Sequence, residues 1–422
     1  MNGEILKLYH EDNLYILGKW FARERNHKGF STRGLSRASN ITTSLISDIE
    51  NQKVRPNLET IRQLYKEVGI TFISDENHLA SIQENILSLY YAVYDQNHEA
   101  INTFFVGLQT QISPLKYSPI TIDIIIIEAL VATLVDNHQV PDAFYALKNH
   151  LPYLSVIQKE RYFIALGYQQ IKEKEYPKAL DSLHQAISLH REGRGFAVAH
   201  ELISVIHSRQ FEPLKAIEYG AKASRLHAKW SNIIRKIATD FIQIKSYLEV
   251  NQTDQAELLI RNLSYVLVES NQKQWYELKS FEAYLYYKKG LYEKSLSILE
   301  SIPQRHFYLE ILRLQVLINL QKTEEVEALY LSLMNQHPKP TDQLENAIIQ
   351  MIYHQNKQEP QKALDEASSY LLENIEQLEE LDALKDIVEF GMNYSLLKED
   401  LKSLEDWVKL SQKLMKFDKI RP

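Results

Sequence analysis

STRGLSRASNITTSLISDIENQKVRPNLETI, residues 31–61, has the spacing of two short helices joined by a tight turn, with a further helix opening at its end. Leu35, Ala38, Ile41, Ile46 and Ile49 recur at the intervals that put them on the inward side of both helices. A turn around Asn40 separates the pair. Thr42 can cap the second helix, which runs to about Asn51, by accepting a bond from a free backbone N–H. Upstream, Leu14, Leu17, Trp20 and Phe21 give residues 14–26 the period of a buttressing helix. Lys28-Gly29-Phe30 breaks it, and Ser31 or Thr32 caps the next. Downstream, Asn51-Gln52-Lys53 makes a turn. Arg55-Pro56-Asn57 then starts a helix with Leu58, Ile61, Leu64 and Val68 inward, ended by Gly69. The expectation is a small all-helical head over residues 1–70, followed by a linker over 71–79.

Between the inward positions lie Thr43, Ser44, Ser47 and Asp48, which the period turns outward. Hydroxyls on an exposed helix face can read either base pair from the major groove of a duplex. Thr43, Ser44 and Ser47 are therefore expected at base edges, and Asp48 either accepts from a cytosine or points away from the phosphates. Around them Thr32, Arg33, Arg37, Asn40, Thr42, Lys53, Arg55 and Asn57 are expected to hold phosphates and fix the register. Glu50 is expected in an internal ion pair with Arg37. Charge supports this division. Residues 14–70 hold ten Lys and Arg against five acids, a net +5, so the rest of the chain carries −12 of the total −7. A basic head on an acidic body suits a nucleic-acid-binding module joined to a body that does not bind DNA.

The ordered set Leu35-Ser36, Ile41, Ile46-Ser47, Ile49-Glu50 and Pro56 resembles the phage-repressor (XRE/Cro) type of helix-turn-helix domain. The resemblance covers Leu14 to Ile70 and implies a double-stranded DNA partner.

The chain of 422 residues exceeds one ordinary domain, and its 45% hydrophobic content excludes a disordered polymer. Glycine and proline number only 12 each, which favours long helices over a turn-rich β fold. The absence of cysteine removes disulfide scaffolds, thiolate metal sites and cysteine nucleophiles. The longest apolar stretch, Ile124 to Ile127, is far too short to span a bilayer, so a cytoplasmic protein with no membrane partner is expected.

From Ala80 onward no strand alternation occurs, and a helical hairpin recurs. Its clearest copy is Glu160 to Glu192, with Phe163, Leu166 and Gly167 on a first helix and Ala179, Leu183 and Ala186 on a second. That is the tetratricopeptide pattern, with small residues where paired helices cross. Tyr176-Pro177 places proline at the start of the second helix, where its missing N–H costs nothing. Taking Ala179 as reference, equivalent positions fall at Ala100, Ala143, Ala216, Ala256, Ser295, Val326, Ala363 and Leu404, spaced 31 to 43 residues apart. About nine units are expected, the clearest starting at Glu160, Ala197, Ile237, Tyr276 and Leu344. The expected fold is all-α, a helix-turn-helix head followed by a right-handed superhelix of tetratricopeptide-like hairpins over 80–374. Residues 375–422 form a last repeat and capping helices, with Ile375 to Lys416 as the cap.

First helices of such hairpins line a concave wall. Its expected ligand contacts are Arg161, Tyr168, Lys172, Glu201, Arg209, Lys245, Tyr284, Lys288, Gln315, Asn319, Gln355 and Asn356. Rings, amides and mixed charges suit an extended peptide, whose backbone needs donors and acceptors along its length. A basic helix-turn-helix head on such an array resembles the peptide-pheromone receptor regulators of Gram-positive bacteria and their phages, the Rgg, PlcR, PrgX and NprR group. That resemblance implies a homodimer on a palindromic operator, switched by a short signalling peptide in the concave face. The inner position where such repeats often carry asparagine holds Ala165, Leu202, Ile242 and Phe281 instead. NprR-like members also bind a response-regulator protein through their repeats, so an interaction protein with a secondary head, or a plain scaffold, stays open beside the regulator.

Enzymatic chemistry has no carrier in the sequence. No G-x-x-x-x-G-K-[ST], G-x-G-x-x-G or H-E-x-x-H occurs, so no nucleotide cofactor is expected. His200-Glu201 is followed only by His207, and two histidines on one helix face make a poor metal site, so no metal is expected. Acids between Leu378 and Asp386 look like a solvated face. Tyr90-Tyr91 and Tyr286-Tyr287 are expected to be core and rim.

Overall fold

Four helices build the head: α1 (Asn13–His27), α2 (Thr32–Ser39), α3 (Thr43–Glu50) and α4 (Leu58–Glu67). Each start after the first is set by a side chain that satisfies a free N–H. Ser31 Oγ accepts from Gly34 N at 3.0 Å, Thr42 Oγ1 from Leu45 N at 3.2 Å, and Asn57 Oδ1 from Thr60 N at 2.7 Å. Asn40 ends α2 in the left-handed region (φ 55°), which asparagine tolerates better than most residues, and so turns the chain into α3. Leu14, Leu17, Phe21, Leu35, Ile46, Ile49, Ile61, Leu64 and Val68 close the core, joined by Tyr65 and Phe72. The Tyr65 hydroxyl donates to the Leu17 carbonyl at 3.0 Å, as a buried phenol requires. At Gly18 the backbones of α1 and α3 touch, since a Cβ there would lie 2.8 Å from Ile49 Cγ2 and 3.0 Å from the Ile49 carbonyl.

Two expectations for the head are corrected. Ala38 is exposed, because α2 buries Leu35 and Ser39, one full turn apart, with Ser39 Oγ donating to the Leu35 carbonyl at 2.8 Å; Ile41 packs half-buried against the core as expected. Glu50 pairs with Arg25, not Arg37. Arg25 Nη2 donates to Glu50 Oε2 at 2.9 Å, Nε bonds the other oxygen, and Nη1 donates to the Phe30 carbonyl. Glu50 follows Ile49 toward α1, whereas Arg37 stands in solvent on α2.

The protein is represented by a computed structural model that describes residues 9–134, 139–189, 191–267 and 272–336, with 349, 352–353, 392 and 404–409. Among the described residues there is no strand. After the head come α5 (Glu76–Tyr94), α6 (His98–Ile112), α7 (Thr121–Leu134) and the short α8 (Asp142–Ala146). Helix α7 contains the isoleucine run. It is apolar on every side and buried from Ile122 to Ala132 apart from Asp123 and Glu128, a core helix. Among the described residues no helix is long and apolar enough to cross a membrane.

Hairpins follow: α9 (Val156–Lys172) with α10 (Tyr176–Leu189), α11 (Arg194–Arg209) with α12 (Pro213–Lys229), α13 (Ile233–Glu249) with α14 (Thr253–Val266), α15 (Gln272–Lys288) with α16 (Tyr292–Ser301), and α17 (Phe307–Asn319) with α18 (Thr323–Gln336). The expected small-residue register holds through these five. Ala179, Ala216, Ala256, Ser295 and Val326 are all buried. A Cβ on Gly167 would fall 2.8 Å from Leu183 Cδ2, so α9 and α10 meet almost backbone to side chain. Where serine replaces alanine at the crossing, Ser295 Oγ donates to the Ala283 carbonyl at 2.8 Å, satisfying the buried hydroxyl.

Each hairpin turn uses the same device. One residue takes a left-handed conformation (Lys174, Phe211, Asn251, Gly290, Gln321), and the next N–H bonds back to the carbonyl five residues earlier, as Glu175 N does to Gln170 O at 2.8 Å and Gln252 N to Tyr247 O at 2.8 Å. Only Asn251 and Gly290 announce this turn by residue type. Ala363 lies outside the described residues, as does most of the unit from Leu344 and of the cap over 375–416.

The chain divides into two compact units, residues 1–206 with 222–238, and residues 207–221 with 239–422. The first therefore holds the head together with the first repeats.

Within the first unit, His200 is buried on α11. Its Nδ1 faces the Phe196 carbonyl at 2.8 Å, and Lys222 and His184 act on it from α12 and α10. Burial holds the imidazole near a pKa of about 4, below the usual 6.5. The folded protein keeps it neutral while the unfolded chain binds a proton below 6.5, so stability present above 6.5 is lost as pH falls toward 4. Between pH 7.5 and 5.5 this amounts to about 1 kcal/mol after solvent screening. In His200→Asn, urea midpoints at those two pH values are expected to differ less than in the parent protein; an unchanged difference would refute the assignment.

Candidate functional site

Two surfaces of the chain gather chemically useful side chains, one on the head and one within the second unit.

On the head, Thr43, Ser44 and Ser47 are all exposed on α3, and Asp48 is half-buried. The core closes without any of them, so their face is left open. Arg33, Arg37, Asn40, Lys53 and Asn57 are exposed around it, and Thr32 is half-buried. Thr42 and Asn57 spend an oxygen on their caps, which leaves the Thr42 hydroxyl proton and the Asn57 Nδ2 hydrogens to donate outward. Arg55 is different. Its guanidinium bonds Glu11 at 3.0 Å and Asp12 at 3.1 Å, so it ties the turn before α4 to the start of α1. The pair is solvent-exposed and worth at most about 1 kcal/mol, so a phosphate could exchange for the carboxylates. Three residues beyond the sequence reading belong to this face. Asn51 Nδ2 donates to the Ser47 carbonyl at 2.8 Å and holds the end of α3, and Leu45 and Val54 stand exposed beside the hydroxyls.

On the repeats, the expected wall divides. Lys245, Tyr284 and Gln315 come together around a cavity of about 1060 Å³ within the second unit. Its floor is apolar, with Leu248, Phe281, Ile302 and Leu312, and its rim is polar, with Gln272, Lys273, Glu277 and His306. Lys245 lies 3.7 Å from Glu249 one turn on. Burial raises the Glu277 carboxyl, and Lys273 opposes that rise. The rim charges are thus largely matched in pairs. Lys288 packs its ammonium over the Tyr284 ring, 5.3 Å from its centre, rather than on the cavity. Asn319 is exposed and donates back to the Gln315 carbonyl at 2.8 Å. Lys172 and Arg209 are exposed. Gln355 and Asn356 lie outside the described residues.

Arg161, Tyr168 and Glu201 do not face outward as expected. Arg161 lies over the Tyr90 ring at 3.7 Å and within 4.0 Å of Asp123. Glu201 accepts from Arg235 Nη1 at 2.8 Å and lies 2.7 Å from His227 Nε2. The Tyr168 hydroxyl accepts from Arg235 Nη2, also at 2.8 Å. Arg235, 0% exposed, further donates to the Val93 and Tyr94 carbonyls at the end of α5. Counting from a helix period alone cannot tell a wall position from one that the neighbouring hairpin covers, because both fall on the same stripe. Residues of Arg235's type are almost never fully buried unless paired, which is why no sequence pattern marks it. Among the described residues no group of three or more His, Asp or Glu could hold a metal ion.

No family model matches the chain. The transcriptional activator NprA of Geobacillus stearothermophilus is 23% identical over 280 residues, covering 62% of this chain and 68% of that protein. The apo form of the quorum sensor NprR from B. thuringiensis aligns with a TM-score of 0.62 at 14% identity, over 80% of this chain and 99% of that one. NprR in complex with its cognate peptide NprX aligns at 0.56 and 16% identity, over 79% and 99%. A Rap protein complexed with Competence and Sporulation Factor aligns at 0.59 and 11% identity, over 81% and 98%. The chain is thus similar in sequence to NprA, and in helical-repeat fold to NprR and to a Rap protein.

Proposed function

We propose that this protein is a sequence-specific DNA-binding transcription regulator whose operator binding is governed by a short peptide held in the cavity of the repeats. The observation that carries the reading is the open face of α3. Thr43, Ser44 and Ser47 are exposed on α3, as are Arg33 and Arg37 on α2 and Lys53 in the turn after α3, on a domain whose core needs none of them. Cationic side chains hold phosphates, and the hydroxyls, with Leu45 positioned for a thymine methyl, read the groove. One head buries little surface, so two heads on a palindrome, brought together by a homodimer, multiply the affinity. In the repeats, an apolar floor under a charge-matched amide rim suits the side chains and backbone of an extended peptide. The likeness to NprA and to peptide-bound NprR supports both halves. Such a regulator acts in the cytoplasm.

The test uses fluorescence anisotropy with duplexes taken from the DNA flanking the protein's own gene. Thr43→Ala/Ser47→Ala is expected to weaken specific binding by about tenfold or more, at about 1 kcal/mol or more per lost base contact. Arg37→Ala should weaken binding to all duplexes alike and lower the salt dependence by about one phosphate contact. An unchanged affinity in the double variant removes α3 as the reading helix. For the cavity, synthetic peptides encoded beside the gene should raise the melting temperature, and Tyr284→Ala should cancel that shift. If no peptide shifts the melting temperature but a response-regulator protein co-elutes with the chain, the repeats serve protein interaction.

A further inference from the structure

The head is held to the first repeats by a joint built from two buried amides. Asn13, at the start of α1, is 0% exposed, and Gln158, in the first turn of α9, is 3% exposed. They bond each other reciprocally: Asn13 Nδ2 donates to Gln158 Oε1 at 3.1 Å, and Gln158 Nε2 donates to Asn13 Oδ1 at 2.9 Å. Every remaining N–H donor is used. Asn13 Nδ2 also donates to the Tyr153 carbonyl at 3.0 Å, Gln158 Nε2 to Asp123 Oδ2 at 2.9 Å, and Gln158 Oε1 accepts from Ser155 N at 3.0 Å in the capping box of α9. A buried amide pair with all donors satisfied has one geometry, because any other leaves polar atoms unpaired at a cost. Beside it, the Tyr15 ring lies 4.8 Å from that of Tyr153, and Gln52, in the turn directly after α3, meets His150 Nδ1 at 3.3 Å. The linker adds its own bond, Ile73 N to the Tyr117 carbonyl at 3.1 Å. All of these residues belong to the first compact unit, and none is on the open face of α3.

We infer that Asn13 and Gln158 are positioning residues for DNA recognition: they lock the head in one orientation on the repeats, so that the reading face is presented at a fixed angle and two heads demand one half-site spacing. This rests on the DNA-binding reading, but the joint itself can be measured without DNA. The chain has no cysteine, so a pair of labels can be placed without altering it further. Nitroxides on Arg62→Cys in α4 and Lys178→Cys in α10, both exposed, report the head-to-repeat distance in the full-length protein.

A single narrow distance is expected with Asn13 and Gln158 intact. Gln158→Glu keeps the acceptor of the capping box, removes both N–H donors and sets a carboxylate against Asp123. It should lose the narrow distance in favour of a broad one while its circular dichroism stays helical. Asn13→Leu, at the other end of the bond, should do the same, and this second variant guards against local misfolding of α9. A broad distance in the parent protein, or a narrow one kept in both variants, overturns the joint. Selection from duplexes with randomised half-site spacing supplies the second readout. The parent should recover one spacing and the variants several; equal tolerance in all three overturns the positioning role. If the distances behave as expected and no duplex is selected, the DNA-binding reading fails while the joint stands.

Discussion

Arg235→Met is expected to lower the stability of the protein by about 3–5 kcal/mol, read as a fall in the urea midpoint. The guanidinium is 0% exposed and satisfies four groups from three separate helices: the Glu201 carboxylate, the Tyr168 hydroxyl and the Val93 and Tyr94 carbonyls. Methionine fills much of the volume but donates nothing. Glu201 then keeps its charge in the interior with only His227 beside it, and two carbonyls at the end of α5 lose a donor. Leaving a buried charge unpaired is what makes such a change severe, more than the worth of the pair itself. Arg235→Met/Glu201→Leu should therefore recover a large part of the loss. A double variant as unstable as the single one would show that packing around Arg235, not charge, governs the site.

The second large effect is expected in the head. Arg25→Met should cost about 3 kcal/mol and abolish DNA binding with it, whereas Arg37→Ala should leave the head's stability unchanged and only weaken phosphate contact. Arg25 and Glu50 are each about 10% exposed, and the guanidinium grips both carboxylate oxygens and the Phe30 carbonyl. That bond spans α1, the turn before α2, and the last residue of α3, so its loss loosens the reading helix from its buttress. Amide exchange of the α3 N–H groups in the full chain distinguishes the two arginines: faster exchange in Arg25→Met alone is the expected result. Similar exchange in both variants would return Glu50 to the partner that helical spacing first suggests.

That pair illustrates where legibility in the amino-acid order stops. The four head helices, their caps at Ser31, Thr42 and Asn57, and the turn at Asn40 follow from side chains acting on backbone within three or four residues. The hairpin register is equally legible, since Ala179, Ala216, Ala256 and Ser295 mark where two helices must approach closely. Gly18 permits the contact of α1 with Ile49, yet no local pattern marks it, because a glycine inside a helix has no distinctive neighbours in sequence. The left-handed turn residues Lys174, Phe211 and Gln321 likewise carry no local signal. Their conformation is imposed by the hairpin closing around them and not by their own preference.

For the site residues the division is similar. Exposure of Thr43, Ser44 and Ser47 could be read from period alone, because α3 has one core face and its other positions have nothing to pack against. The wall residues could not, because a repeat helix is covered from two sides. Lys245, Tyr284 and Gln315 reach the cavity, but Arg161, Tyr168 and Glu201 are claimed by neighbouring helices.

The amino-acid order by itself determined that this chain is helical, that a basic head precedes an acidic array, and that the array repeats at a helical-hairpin period. Helix period, capping and small-residue spacing are all short-range, so their causes lie within a few residues of their effects. Only the tertiary structure decided that Asn13 meets Gln158 across 145 positions, that Arg25 and not Arg37 holds Glu50, and that Arg235 is buried at the meeting of α5, α9 and α11. A polar side chain finds its partner wherever packing of the apolar faces brings one within hydrogen-bond reach, and no local pattern in either segment names the other.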